Sequence, residues 1–200
     1  MRLQYIASQH YGDNAHHGLS HIQAVLRCAW TLKGKPLSAV EEAAIWWHDS
    51  ALKDFGKENH EVLGAKIFLE DNAKWRFFSK EDGARIAEAI RHHRKSSRRG
   101  AEFPSALAEL LASADRELPE TGDDLYRRSI HYHLDLGESP DQVAVSAYEH
   151  LREITHPEYV QQRYPRLYLD RFSREVDAAY QYVRNGMMGR GRRLICAPFF

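Results

Sequence analysis

The chain has 200 residues, with 28 lysines and arginines balanced by 28 aspartates and glutamates, so its formal net charge at neutral pH is zero. That length suits one sizeable helical core, since domains commonly run to about 100–200 residues, and the cancelled charge argues against a dedicated nucleic-acid or membrane binder. Two scattered cysteines, Cys28 and Cys196, exclude a disulfide framework and a cysteine-based zinc site.

The opening MRLQYIASQH lacks the pattern of a signal peptide. No apolar run approaches the roughly 18 residues of a membrane span, so a cytoplasmic protein without a membrane partner is expected. Apolar residues recur at helical spacing and no sustained alternation of β-branched residues occurs, which predicts an all-α fold. We read residues 1–185 as one helical domain and the Gly- and Arg-rich 186–200 as an arm that docks on the core or on a second subunit, a possible homo-oligomer contact. The first clear helix follows Gly18, carries His21, Val25, Ala29 and Leu32 on one face, and ends at Gly34-Lys35-Pro36. The second opens at Ser38, where Glu41 completes a capping box, and runs through Ile45-Trp46-Trp47 to His48-Asp49. Further helices are expected over about 59–72, 80–94, from Pro104 to Asp115, and over 123–136, 140–154 and 167–184. Gly137, His156-Pro157 and Gly186 punctuate the last of these.

Histidine is the unusual component, with twelve in a chain nearly free of other soft metal ligands. His48-Asp49 interrupts the apolar run IWWHDSAL, where an unpaired carboxylate would be costly to bury. A cation compensates such a charge, and imidazole with carboxylate suits Mn, Fe, Co, Ni, Zn or Mg. His21 and Asp115, the latter ending ALAELLASAD, are likewise polar intruders on apolar faces.

In this order the segments GLSHIQAVL, AAIWWHDSAL and AELLASADREL resemble the HD superfamily of metal-dependent phosphohydrolases, over about residues 16–115. In that family a His, a His-Asp pair and a distant Asp come from different helices. The resemblance implies a metal site of His21, His48, Asp49 and Asp115, with Asp49 and His48 at the centre of catalysis. ENHEVLGAKI and AEAIRHHRK resemble segments that supply two more histidines in binuclear members, which implies a second ion at His60 and His93 bridged by Asp49. The alternatives are a substrate contact for His60, or a pair of solvated histidines at helix ends. One or two divalent ions per subunit would then activate water against a phosphoester or phosphoanhydride, in a nucleotide or nucleotide-derived small molecule.

Arg94, Lys95, Arg98 and Arg99 follow His93 directly and make a candidate phosphate clamp, or a solvated basic loop closing a helix. Lys53 is a further candidate substrate contact near the His-Asp pair, as is Lys57 by position, while Asp54, which could assist water or a leaving group, is read as exposed. His16 and His17 are placed at the cleft, and His131, His133, His150 and His156 are read as surface or core residues. Most of Trp30, Trp46, Trp47 and Trp75 are expected in the core. Two other readings stand beside the hydrolase: a mixed-valent di-iron oxygenase on the same ligand set, and a non-catalytic module binding nucleotide or nucleic acid through 94–99 and 190–193.

Overall fold

The structure, a computed structural model, describes residues 2–12, 18–94, 102–120 and 122–186. His16, His17, Lys95, Arg98, Arg99, Cys196 and the expected arm lie outside the described residues. Among the described residues every regular element is an α-helix. Their compactness divides the chain into a first unit, Met1–Leu118, and a second, Pro119–Phe200. The division falls just beyond Asp115, so all six residues expected as ligands belong to the first unit.

The first unit contains α1 (Arg2–Ser8), α2 (Leu19–Lys33), α3 (Ala39–Trp47), α4 (Leu52–Phe55), α5 (His60–Trp75), α6 (Lys80–His92) and α7 (Ala106–Ala114). Helix α3 is its hub, packed by α1, α2, α5, α6 and α7. Its sequence explains that position: Ala43 and Ala44 let neighbours approach closely, while Ile45 and Trp47 fill the space between them, and all four are buried. Trp47 meets Phe68 edge-on, with ring centroids 5.5 Å apart, and donates from Nε1 to the Asp71 carboxylate at 2.9 Å. Ser38 and Glu41 form the expected capping box at the start of α3. Helix α2 stops where Gly34 turns left-handed, at φ 63°, and donates its N–H to the Trp30 carbonyl.

The second unit holds α8 (Gly122–Asp135), α9 (Pro140–Ile154), α10 (Pro157–Arg163) and α11 (Arg166–Arg184). A short loop joins α8 to α9 in a helical hairpin. Tyr126, Ile130, Val143, Ala147, Leu151 and Val183 form its core.

Three elements differ from the sequence reading. The short helices α1 and α4 carry too few apolar positions to register as periodic. His156-Pro157, taken as a break, instead starts α10, because proline fits the first helical position without losing a needed N–H. Of the four tryptophans expected mostly in the core, Trp47 is fully buried, Trp46 and Trp75 are half-buried, and Trp30 on α2 is 60% exposed. No described helix is long and apolar enough to cross a membrane.

Candidate metal centre

The end of α3 presents the His-Asp pair. His48 is the C-cap residue of that helix and Asp49 follows in the turn. The last carbonyls of a helix have no partner further along it, and the His48 Nδ1–H donates to one of them, Ile45 O, at 2.8 Å. His93 caps α6 in the same way, donating from Nδ1 to Ile90 O at 2.6 Å. His60, the first residue of α5, donates from Nδ1 to Lys57 O at 3.0 Å. Each ring is thus held by a carbonyl three residues earlier, which turns Nε2 inward.

Two clusters result, and Asp49 belongs to both. Its Oδ2 stands 3.6 Å from His21 Nε2 and 3.5 Å from His48 Nε2. Those two nitrogens are 3.2 Å apart, and each lies 3.1 Å from Asp115 Oδ1. The other oxygen, Oδ1, stands 3.2 Å from His60 Nε2 and 3.7 Å from His93 Nε2, which are themselves 3.4 Å apart. Asp49 and the four histidines are buried, whereas 29% of the Asp115 side chain is exposed. Asp115 is thus the most exposed of the six candidate ligands.

The donor set fits a metal ion. Ligands bound at about 2.0–2.2 Å in tetrahedral or octahedral shells stand roughly 3.0–3.5 Å from one another, close to the separations within each cluster. The Nε2 atoms also approach in pairs, His21 with His48 at 3.2 Å and His60 with His93 at 3.4 Å, an arrangement that a shared cation would resolve. His21, His48, Asp49 and Asp115 can hold one ion, and Asp49, His60 and His93 can hold another. The mixture of imidazole nitrogen and carboxylate oxygen suits first-row divalent metals.

The electrostatics favour positive charge at this place. Burial works against a charged His21, but Asp115 and Glu117 outweigh it and raise its pKa to about 10. His48 and His60 are also raised despite burial, the first by Asp49 and Asp115, the second by Asp49 and the Lys57 carbonyl. Asp115 is held well below the usual carboxylate range, because hydrogen bonds from His21 and His48 overcome the penalty of burial. A proton or a metal ion answers the same field.

Several supporting residues are not visible in the sequence. Glu117 accepts from His21 Nδ1 at 2.6 Å and does so from a left-handed backbone, at φ 62°. Asn59, immediately before His60, is also left-handed, at φ 55°. Non-glycine residues in that region carry about 1–3 kcal/mol of strain and cluster where surrounding structure holds a functional geometry. Glu61 is a buried carboxylate whose Oε2 lies 3.5 Å from His60 Nδ1. Tyr11 is buried and donates to Trp46 O at 2.8 Å; burial, with the nearby Asp49 charge, pushes its pKa well up.

Lys53, Asp54 and Lys57 are exposed on or beside α4. Arg94 donates to the Lys57 carbonyl at 2.7 Å. His92 is half-buried while its neighbour His93 is buried in the cluster. In the second unit, His133 is buried with Nδ1 2.7 Å from Glu138 Oε1. Comparison of the chain with family profiles, with curated proteins and with solved structures finds no match.

Proposed function

We propose that this chain is a divalent-metal-dependent phosphohydrolase of the HD type, acting on a phosphoester or phosphoanhydride in a nucleotide or nucleotide-derived small molecule. The observation that carries this reading is the division of one buried carboxylate between two histidine pairs, with Asp49 Oδ2 toward His21 and His48 and Oδ1 toward His60 and His93. His21, His48, Asp49 and Asp115 would hold the first ion, and Asp49, His60 and His93 the second. Paired divalent ions supply an acidified water and neutralise charge on a transferring phosphoryl group.

The chain's own residues prepare that chemistry. Backbone carbonyls fix His48, His60 and His93 as Nε2 donors, and Glu117 aligns His21. Asp115 is the most exposed of the candidate ligands, which favours approach of a substrate phosphate on its side. Among the described residues the second group offers three protein donors, which would leave positions for water and substrate oxygens.

The test is release of phosphate, pyrophosphate or triphosphate from a nucleotide panel, with Mn²⁺, Co²⁺ or Mg²⁺ supplied in turn, comparing the wild type with Asp49→Ala. Metal-dependent release by the wild type alone supports the hydrolase and names its subclass. Silence across the panel from protein with metal bound removes the nucleotide reading. Oxygen consumption by the iron-loaded protein would then point to the oxygenase that the same donor set permits.

A further inference from the structure

The Lys57 carbonyl accepts two hydrogen bonds from different directions. One comes from His60 Nδ1 at 3.0 Å and the other from Arg94 Nη1 at 2.7 Å. Arg94 follows His93 at the end of α6, while Lys57 and His60 flank the start of α5. A single guanidinium therefore ties together the backbone around both histidines of the second cluster. Arg94 Nη1 also lies 3.8 Å from Oε2 of the buried Glu61, next in sequence to His60.

We infer that Arg94 is a positioning residue for the second metal subsite and not a phosphate clamp. The inference rests on the two-ion reading above. Its physical basis is that the segment carrying Lys57 precedes α5 through the left-handed Asn59, so nothing helical holds the Lys57 carbonyl in place. That carbonyl selects the Nδ1–H tautomer of His60 and so exposes Nε2 to the cluster. A charge-assisted hydrogen bond from Arg94 anchors the acceptor that makes this selection. The side chain is 38% exposed, and its Nη1 is committed to the Lys57 carbonyl and the Glu61 side of α5. The His21 subsite shares none of this scaffold, since Glu117 orients its histidine.

The experiment is Co²⁺ titration of the full-length protein by calorimetry, with bound metal counted after dialysis, for wild type, Arg94→Ala and Arg94→Lys. The wild type should take up two ions. Arg94→Ala should keep the first at unchanged affinity, which also reports that the fold is intact, and should bind the second about 10–100-fold more weakly. Arg94→Lys, which can still donate to the Lys57 carbonyl, should recover much of that loss. Undiminished binding of both ions by Arg94→Ala, with weaker binding of inorganic phosphate to the two-ion protein, would overturn the inference in favour of a clamp. Fewer than two ions on the wild type would overturn the two-ion reading, and the positioning role with it.

Discussion

The buried carboxylate of Asp49 faces four imidazoles. Asp49→Ala should therefore abolish high-affinity metal uptake at both clusters while leaving the helical circular dichroism near the wild type. Retained uptake of two ions, measured by metal analysis after dialysis, would contradict the shared-ligand role. Glu117 acts one step out. Glu117→Gln keeps the shape but removes one of the charges that, after Asp115, make His21 basic, and should weaken the first ion about 10–100-fold in a calorimetric titration. The raised pKa of His21 sets the pH dependence. In the metal-free protein its stabilisation is full below the unfolded value of 6.5 and is lost as pH rises through about 10. Metal must displace that proton, so the apparent affinity should increase as pH is raised from about 6 to 9. A flat affinity across that range would mean that His21 gives up no proton on binding.

Helix α3 and its contact with α5 decide whether the two clusters meet. Gly64 on α5 faces the end of α3 so closely that a Cβ there would stand 3.1 Å from the carbonyl oxygens of both Trp47 and His48. Backbone cannot give way as a flexible side chain would, so Gly64→Ala should push α5 outward and draw His60 away from Asp49. Loss of second-ion affinity with the first ion retained, measured by Co²⁺ titration, is the expected outcome. The start of α3 offers a separate test. Ser38 accepts from the Glu41 N–H, and Glu41 accepts in return from the Ser38 N–H and from Lys33. Ser38→Ala should cost about 1 kcal/mol in a denaturant melt. Burial alone would raise the Glu41 pKa, but Lys33 and Ser38 lower it below 4.5. The stability it contributes is present above that value and disappears as pH falls through the depressed one, so Glu41→Gln should flatten the acid limb of the stability curve.

For the molecule as a whole, the six candidate ligands all fall in the first unit, whereas the core of the second is built from α8, α9 and α11. A metal that binds only the folded state at about 100 times its dissociation constant adds about 2.7 kcal/mol. For a chain of this size that corresponds to roughly 5–10 °C in the melting midpoint. Calorimetry should show this shift in the unfolding of the first unit, and a transition belonging to the second should not move. Equal shifts throughout would mean that the two units unfold together.

Helical periodicity by itself determined the all-α fold and most helices, because burial of one face repeats every three to four residues and is written locally. Polar intruders in apolar runs also named His21, His48, Asp49 and Asp115 as candidates, since a buried charge stands out against its own helix. Resemblance added His60 and His93. Glu117, Glu61, Tyr11 and the anchoring of Arg94 carry no such local contrast. Each is an ordinary residue until a partner distant in the chain arrives, as Glu117 meets His21 and Arg94 meets Lys57. Only the tertiary structure decided these pairings, because a hydrogen bond depends on atoms brought within about 3 Å of one another, and sequence order does not encode that proximity.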